Sequence, residues 1–485
     1  MQKKFLSGLF LVLVLNLLIK PFYILGIDAE ILKQVELNKP GDYGMYFSLL
    51  GLTFVVNIFL DLGIINFNTR NIAQNSQLIG KHFSSILSLR LLLAGVYMII
   101  ILLLAIIFQY NTLQLKILSV LALNQVFVAF ILYFRSNLSA LLRFREDSFI
   151  SVLDRVLLII VCSILLWGGI TNSHFKIDWF IYAQTFSYAF TALIGLILVL
   201  RQTGKLKLSW DKAFNMVILK KSFPYALLIL LMAVYYYCDA IMLERLHPEG
   251  KIEAASYARG FRFFMAANMI GYLFAGVLLP IFSKMLKNKN DISDLVYLSF
   301  KLIFGISVII GVLAYLYKSE IINLRYDIVG NDLAHCSSSF GFLMLAFIAA
   351  CTTYIFGTLL TASGKLKSLN IIAICGVLIN ILMNVILIPK YGAEGAAFAS
   401  FVTQGITAIL QVIIAFKILN ILIIKKELFM ILIFSLIAIS TFYWHNLLTF
   451  NWLISFIIVF AILLISAFIT GMISVKKVLL ILKEK

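Results

Sequence analysis

Charge is scarce in this chain: 13% of its 485 residues are Asp, Glu, Lys or Arg, where a soluble globular domain carries roughly a quarter. Proline is rare, with six residues, and so is cysteine, with five. No two cysteines form a CxxC pair, so the common zinc and redox patterns are missing. Cys162, Cys238, Cys336, Cys351 and Cys375 read as small core hydrophobes. The five histidines lack metal-ligand spacing. Gly204-Lys205 and Gly364-Lys365 lack both the upstream glycine and the preceding strand of a phosphate loop, which argues against ATP hydrolysis. No loop is long enough for a soluble catalytic domain, which argues against a membrane enzyme such as a glycan polymerase or ligase.

What is abundant is apolar sequence. Hydrophobic residues make up 62% and the mean hydropathy is +1.03. The runs are continuous over about 20 residues rather than alternating, so the spans are helical and not strands of a barrel. The opening Met-Gln-Lys-Lys precedes an apolar run without a small-x-small cleavage site. That run continues past Lys20-Pro21, so it is expected to be retained as the first span.

Apolar runs bounded by charge or Gly/Pro clusters predict about fourteen spans. They fall near 5–27, 42–66, 84–108, 116–141, 150–170, 178–200, 222–241, 253–281, 294–317, 336–362, 367–389, 393–419, 427–445 and 451–473. The formal charge of +18 belongs to short loops and signals topology rather than nucleic-acid binding. With the N-terminus inside, about 27 of the 40 Lys and Arg fall on the inner side and about 9 in outer loops,. That threefold bias places both termini in the cytoplasm and implies an even number of spans.

Spans seven and eight echo spans one and two. Tyr23…Asp28 matches Tyr237-Cys238-Asp239, and Gly41-Asp42-Tyr43-Gly44 matches Ala255-Ser256-Tyr257-Ala258. An offset of six spans implies a parallel repeat. The expected organisation is an N-lobe over 1–210 (helices 1–6), a C-lobe over 211–420 (helices 7–12) and additional helices 13–14 over 421–485.

Charges inside spans cost roughly 2.5–3.5 kcal/mol each near a helix centre and so mark candidate sites. Lys20 lies past the middle of span one, with Asn16 one turn earlier on the same face. Pro21 frees a backbone carbonyl and bends the helix. Lys20 either faces a water-filled cavity or snorkels to the outer interface. Arg259 and Arg262, three apart on span eight, suit either a bidentate phosphate clamp or a structural pairing with Asp239 or Glu253. Asp61 either binds a coupling proton or sodium ion, or caps, or pairs with Arg70 as a gate. Asp239, expected to end span seven behind Tyr235-Tyr236-Tyr237, is a further gate or coupling candidate. Arg135 is expected to snorkel. Asn380 and Asn384, one turn apart, suit helix packing.

These residues carry a resemblance. Lys20-Pro21-Phe22-Tyr23, Gly41-x-Tyr43-Gly44, Asp61-Leu62-Gly63 and Thr69-Arg70-Asn71-Ile72-Ala73 resemble the N-terminal half of the bacterial polysaccharide flippases. Ala362-Ser363-Gly364-Lys365, Asn380-x-x-x-Asn384 and Ile388-Pro389-x-Tyr391-Gly392-Ala393-x-Gly395-Ala396-Ala397 resemble their C-terminal half, as do Asp239 and Tyr257 to Arg262 their lobe-two entrance. That family belongs to the multidrug/oligosaccharidyl-lipid/polysaccharide exporter (MOP) superfamily. The resemblance implies an all-α membrane protein of about 14 transmembrane helices: two pseudo-symmetric, MATE-like six-helix lobes in a V around a cationic cavity, plus two C-terminal helices. It implies a non-enzymatic carrier of undecaprenyl-pyrophosphate-linked O-antigen, capsule or exopolysaccharide units, with Lys20, Asn16, Arg259 and Arg262 at the headgroup. Drug exporters of the superfamily usually have twelve spans, whereas peptidoglycan-precursor flippases share the fourteen. Implied partners are the lipid-linked oligosaccharide, membrane lipids and other polysaccharide-assembly proteins. No metal site, catalytic residue or bound cofactor is expected, while proton or sodium coupling and a cation-coupled exporter of drugs or metabolites stay open.

Overall fold

In hydrocarbon a spanning backbone must satisfy its own polar groups, and an apolar run of this length does so as a helix. The computed structural model of the protein describes residues 14–65, 68, 79–141, 143–169, 174–203 and 210–473. Among these stand fourteen long helices and no strand. The first six are α1 (14–38), α2 (Asp42–Val56, continued by Ile58–Asp61), α3 (Ile79–Ile107), α4 (Thr112–Ala140), α5 (Phe144–Trp167) and α6 (Ile177–Thr203). There follow α7 (Lys212–Leu246), α8 (Gly250–Lys287), α9 (Ser293–Leu316) and, after a short helix Lys318–Tyr326, α10 (Gly330–Ala362).

The segment Leu366–Leu419 is helical over 54 residues, which as one rod would reach about 80 Å, far more than a bilayer core. Gly392 breaks it at φ 49° and ψ −129°, three residues after Pro389, giving α11 (366–391) and α12 (393–419). The last two helices are α13 (Lys425–Trp444) and α14 (Trp452–Ile469). Eleven helical segments are long and apolar enough to cross a membrane, with Leu366–Leu419 taken as one. The chain is a multi-pass all-α membrane protein.

Helix α1 runs beyond its expected end at 27. Where the sequence predicts a bend at Pro21, the next turn widens into a π-helix over Tyr23–Asp28, and Ala29 N–H reaches back five residues to the Ile24 carbonyl. The turn into α2 is built by Glu36, whose carboxylate accepts the N–H groups of Gly41 and Tyr43, both at 2.8 Å. Gly41 stands there at φ +88°, a conformation glycine adopts at no steric cost.

The chain divides into two compact units, 1–255 and 256–485. In the first, α4 packs on α6 and α2 on α7. The α2–α7 seam is close: the Phe54 and Tyr237 rings stack at 4.5 Å. Further along α2, a Cβ on Gly44 would fall 1.8 Å from the Lys251 carbonyl oxygen. Repeat order groups α7 with the five helices α8–α12 that follow it, and α7 packs against α2.

In the second unit α10 packs against both α9 and the segment Leu366–Leu419. Helices α13 and α14 are fastened to α9 through Val308, Val312 and Leu313 against Phe434, Val459 and Leu463. The Lys301–Glu427 ion pair adds a polar tie between α9 and α13.

Candidate functional site

Lys20 projects from α1 one turn after Asn16. The Asn16 amide is buried and donates to Ser151 Oγ at 3.1 Å, which ties α1 to α5. Lys20 is half-buried, within electrostatic reach of Arg155, Arg135 and Asp154, and makes no ion pair among the described residues. Arg135 is neutralised by Asp147 at 2.7 Å, so it pairs inside the unit rather than snorkelling.

Arg155 sits about three turns into α5. Its Nη1 donates to Tyr188 Oη at 3.0 Å. Its guanidinium carbon lies 4.9 Å from the ring centre of Tyr23 and 5.6 Å from that of Tyr188. The nearest carboxylate is the adjacent Asp154, at 3.7 Å. Around this group the Tyr43 hydroxyl donates to Asp28 at 2.5 Å, and the Gln184 amide donates to Tyr46 at 2.7 Å. In the sequence Arg155 is masked by Arg143, Arg145, Glu146 and Asp147, which precede it in one polar helix start. Its depth along a helix that begins at Phe144 was the available signal.

Arg259 and Arg262 belong to the second unit, Lys20 to the first. Arg262 is buried at 5% exposure. Arg259 is half-buried, and its Nε is buried without an acceptor. The Tyr326 hydroxyl donates to the Arg259 carbonyl at 3.3 Å. The stacked rings of Tyr257 and Phe261 on the same helix stiffen this stretch. An arginine N–H kept from any protein acceptor remains available to a ligand anion.

Asp61 is held by a cation the sequence does not single out. Its partner is Arg90 on α3, which is 2% exposed. Arg90 also donates to the Ala129 carbonyl at 2.9 Å and lies over the Tyr133 ring at 4.8 Å. Arg70, the expected partner, lies outside the described residues. The pairing fits the local backbone: α2 ends at Asp61, and Leu62 and Gly63 take positive φ. Asp239 does not end its helix. It lies buried at 1% exposure, and α7 continues to Leu246. Asn384 donates to Asn380 at 3.2 Å, both fully buried.

A family model described as polysaccharide biosynthesis protein matches residues 37–286. Among curated proteins none matches the chain. The lipid II flippase MurJ in an inward-closed conformation superimposes with a TM-score of 0.70, covering 96% of this chain and 97% of MurJ at 16% identity. An inward-facing multidrug-resistance MATE transporter of the MOP superfamily gives 0.63, over 83% of this chain and 93% of that one, at 14% identity. A MOP-superfamily transporter from Pyrococcus furiosus, described as having a binding pocket of reversed polarity, gives 0.60 over 85% and 94% at 13% identity. At these identities the likeness is one of fold.

Proposed function

The chain belongs to the polysaccharide biosynthesis protein family, and from that premise we propose that it is a flippase for lipid-linked oligosaccharides. Its cargo is an O-antigen, capsule or exopolysaccharide repeat unit on undecaprenyl pyrophosphate. The observation that carries this reading is Lys20, a cation on an apolar helix with no ion pair among the described residues. Such a charge is expensive in hydrocarbon unless it meets water or an anion. A pyrophosphate headgroup supplies the anion.

In this mechanism Lys20 of the first unit and the Arg259/Arg262 pair of the second each offer a pyrophosphate charge-assisted hydrogen bonds,. The glycan passes through water while the polyprenyl tail stays in lipid, and alternating access carries the headgroup across. Arg90 neutralises Asp61, and the buried Asp239 is a further candidate for a coupling proton or sodium ion.

The test is a deletion strain assayed for lipid-linked oligosaccharide trapped on the inner leaflet. Wild type is expected to clear it. Lys20→Ala, and Arg259→Ala combined with Arg262→Ala, are expected to leave it trapped while the protein accumulates normally. Normal surface glycan in the deletion strain, with raised sensitivity to cationic dyes, would instead identify a drug exporter.

A further inference from the structure

Three cations embedded in the described helices are neutralised by a carboxylate of another segment: Arg90 by Asp61, Arg135 by Asp147, and Lys301 by Glu427. Arg155 is different. Its one carboxylate neighbour is Asp154, at 3.7 Å, and the other oxygen of that carboxylate already accepts the Arg155 backbone N–H at 2.8 Å. Lys20 stands within its electrostatic reach and has no ion pair of its own among the described residues. Lys20, Arg135 and Arg155 thus face two carboxylates, Asp147 and Asp154. Asp28 accepts the Tyr43 hydroxyl and is not the carboxylate that contacts Arg155.

What holds Arg155 in place is aromatic. Tyr23 and Tyr188 are 5% and 6% exposed, too buried to stack on a sugar. Their role is to position the guanidinium, whose side chain keeps 26% of its surface. A ring quadrupole attracts a cation without cancelling its charge. Arg155, held between rings with only the long 3.7 Å contact to Asp154, therefore keeps more of its charge for an anion than a cation closed in a short carboxylate pair,. The planar fork also suits two phosphate oxygens at once.

We infer that Arg155 is a headgroup-binding residue beside Lys20, and that the two make the first unit select a pyrophosphate over a single phosphate. This rests on the function proposed above and adds the residue and the selectivity. Tyr188 is a positioning residue for it.

The test uses the full chain, purified into nanodiscs of neutral lipid, with geranylgeranyl pyrophosphate and geranylgeranyl monophosphate as probes. Wild type is expected to bind the pyrophosphate at least about tenfold more tightly, the scale of one charge-assisted contact. Arg155→Gln and Lys20→Gln are each expected to bring the two affinities within about threefold. Arg155→Lys should recover part of the preference, and Tyr188→Phe should lose part of it. A general structural defect would weaken both probes alike and leave their ratio unchanged. Should Arg155→Gln fail to fold, Arg155→Lys and Tyr188→Phe decide. Unaltered selectivity in the Arg155 and Tyr188 variants, with Lys20→Gln impaired, overturns this inference alone. A wild-type protein that binds neither probe removes the proposed function as well.

Discussion

Asparagine at position 61 tests whether the Asp61 charge serves the fold or the transport cycle. The substitution preserves shape and removes the anion that faces Arg90. That guanidinium is 2% exposed, while Asp61 is 19% exposed. Stranding one partner of a buried pair costs about 3–5 kcal/mol. Here the asparagine oxygen still accepts from Arg90, and the partial exposure of position 61 softens the loss. The expected cost of Asp61→Asn is therefore about 2–3 kcal/mol, or roughly 30- to 150-fold in the folding equilibrium. For a unit of this size that corresponds to a fall of about 5–10 °C in the melting midpoint. Fluorescence-detected size exclusion after heating, in detergent, reads it. Asp61→Leu combined with Arg90→Met should recover most of the loss, because a well-packed apolar pair replaces a buried ionic one at little cost. A midpoint within about 1 °C of wild type together with lost transport would refute the reasoning and return Asp61 to the coupling role.

Gly44→Ala is expected to prevent accumulation of folded protein, since its Cβ would meet the Lys251 carbonyl oxygen at 1.8 Å. Gly95→Ala, with nothing within 4 Å of its Cβ, should be neutral or raise the midpoint slightly,; equal behaviour of the two would contradict the close α2–α8 approach. Glu427→Gln should loosen α13, exposing the 420–424 connector to limited proteolysis, because it leaves Lys301 buried and unpaired,. Lys301→Met combined with Glu427→Leu should restore protection, and persistent cleavage in that double variant would count against the tie between α9 and α13.

The site was legible in the sequence only in part. Lys20 could be found because a lone charge interrupts an otherwise apolar run. Arg155 could not, because it follows a cluster of charges that also marks the start of a helix. Asp61 stands out in the sequence as a costly charge, but nothing there points to Arg90, 29 residues away, as a partner. Arg135 was read as reaching for the interface and is instead held by Asp147 within the unit. The apolar run suggests a helix end at Asp239, yet α7 continues for seven more residues.

By itself the sequence determined that this is a helical membrane protein with its long helices near the expected positions, down to the break at Gly392. Hydropathy is local and additive: some 20 apolar residues decide a span whatever lies beside them. Tertiary structure alone decided which charges are spent and which are kept. That depends on the rotation of each helix about its axis and on its neighbours, and it joined residues 33, 126 and 135 positions apart: Arg155 with Tyr188, Lys301 with Glu427 and Asn16 with Ser151. A cation held by rings and a cation held by a carboxylate look alike in sequence, and only packing tells them apart.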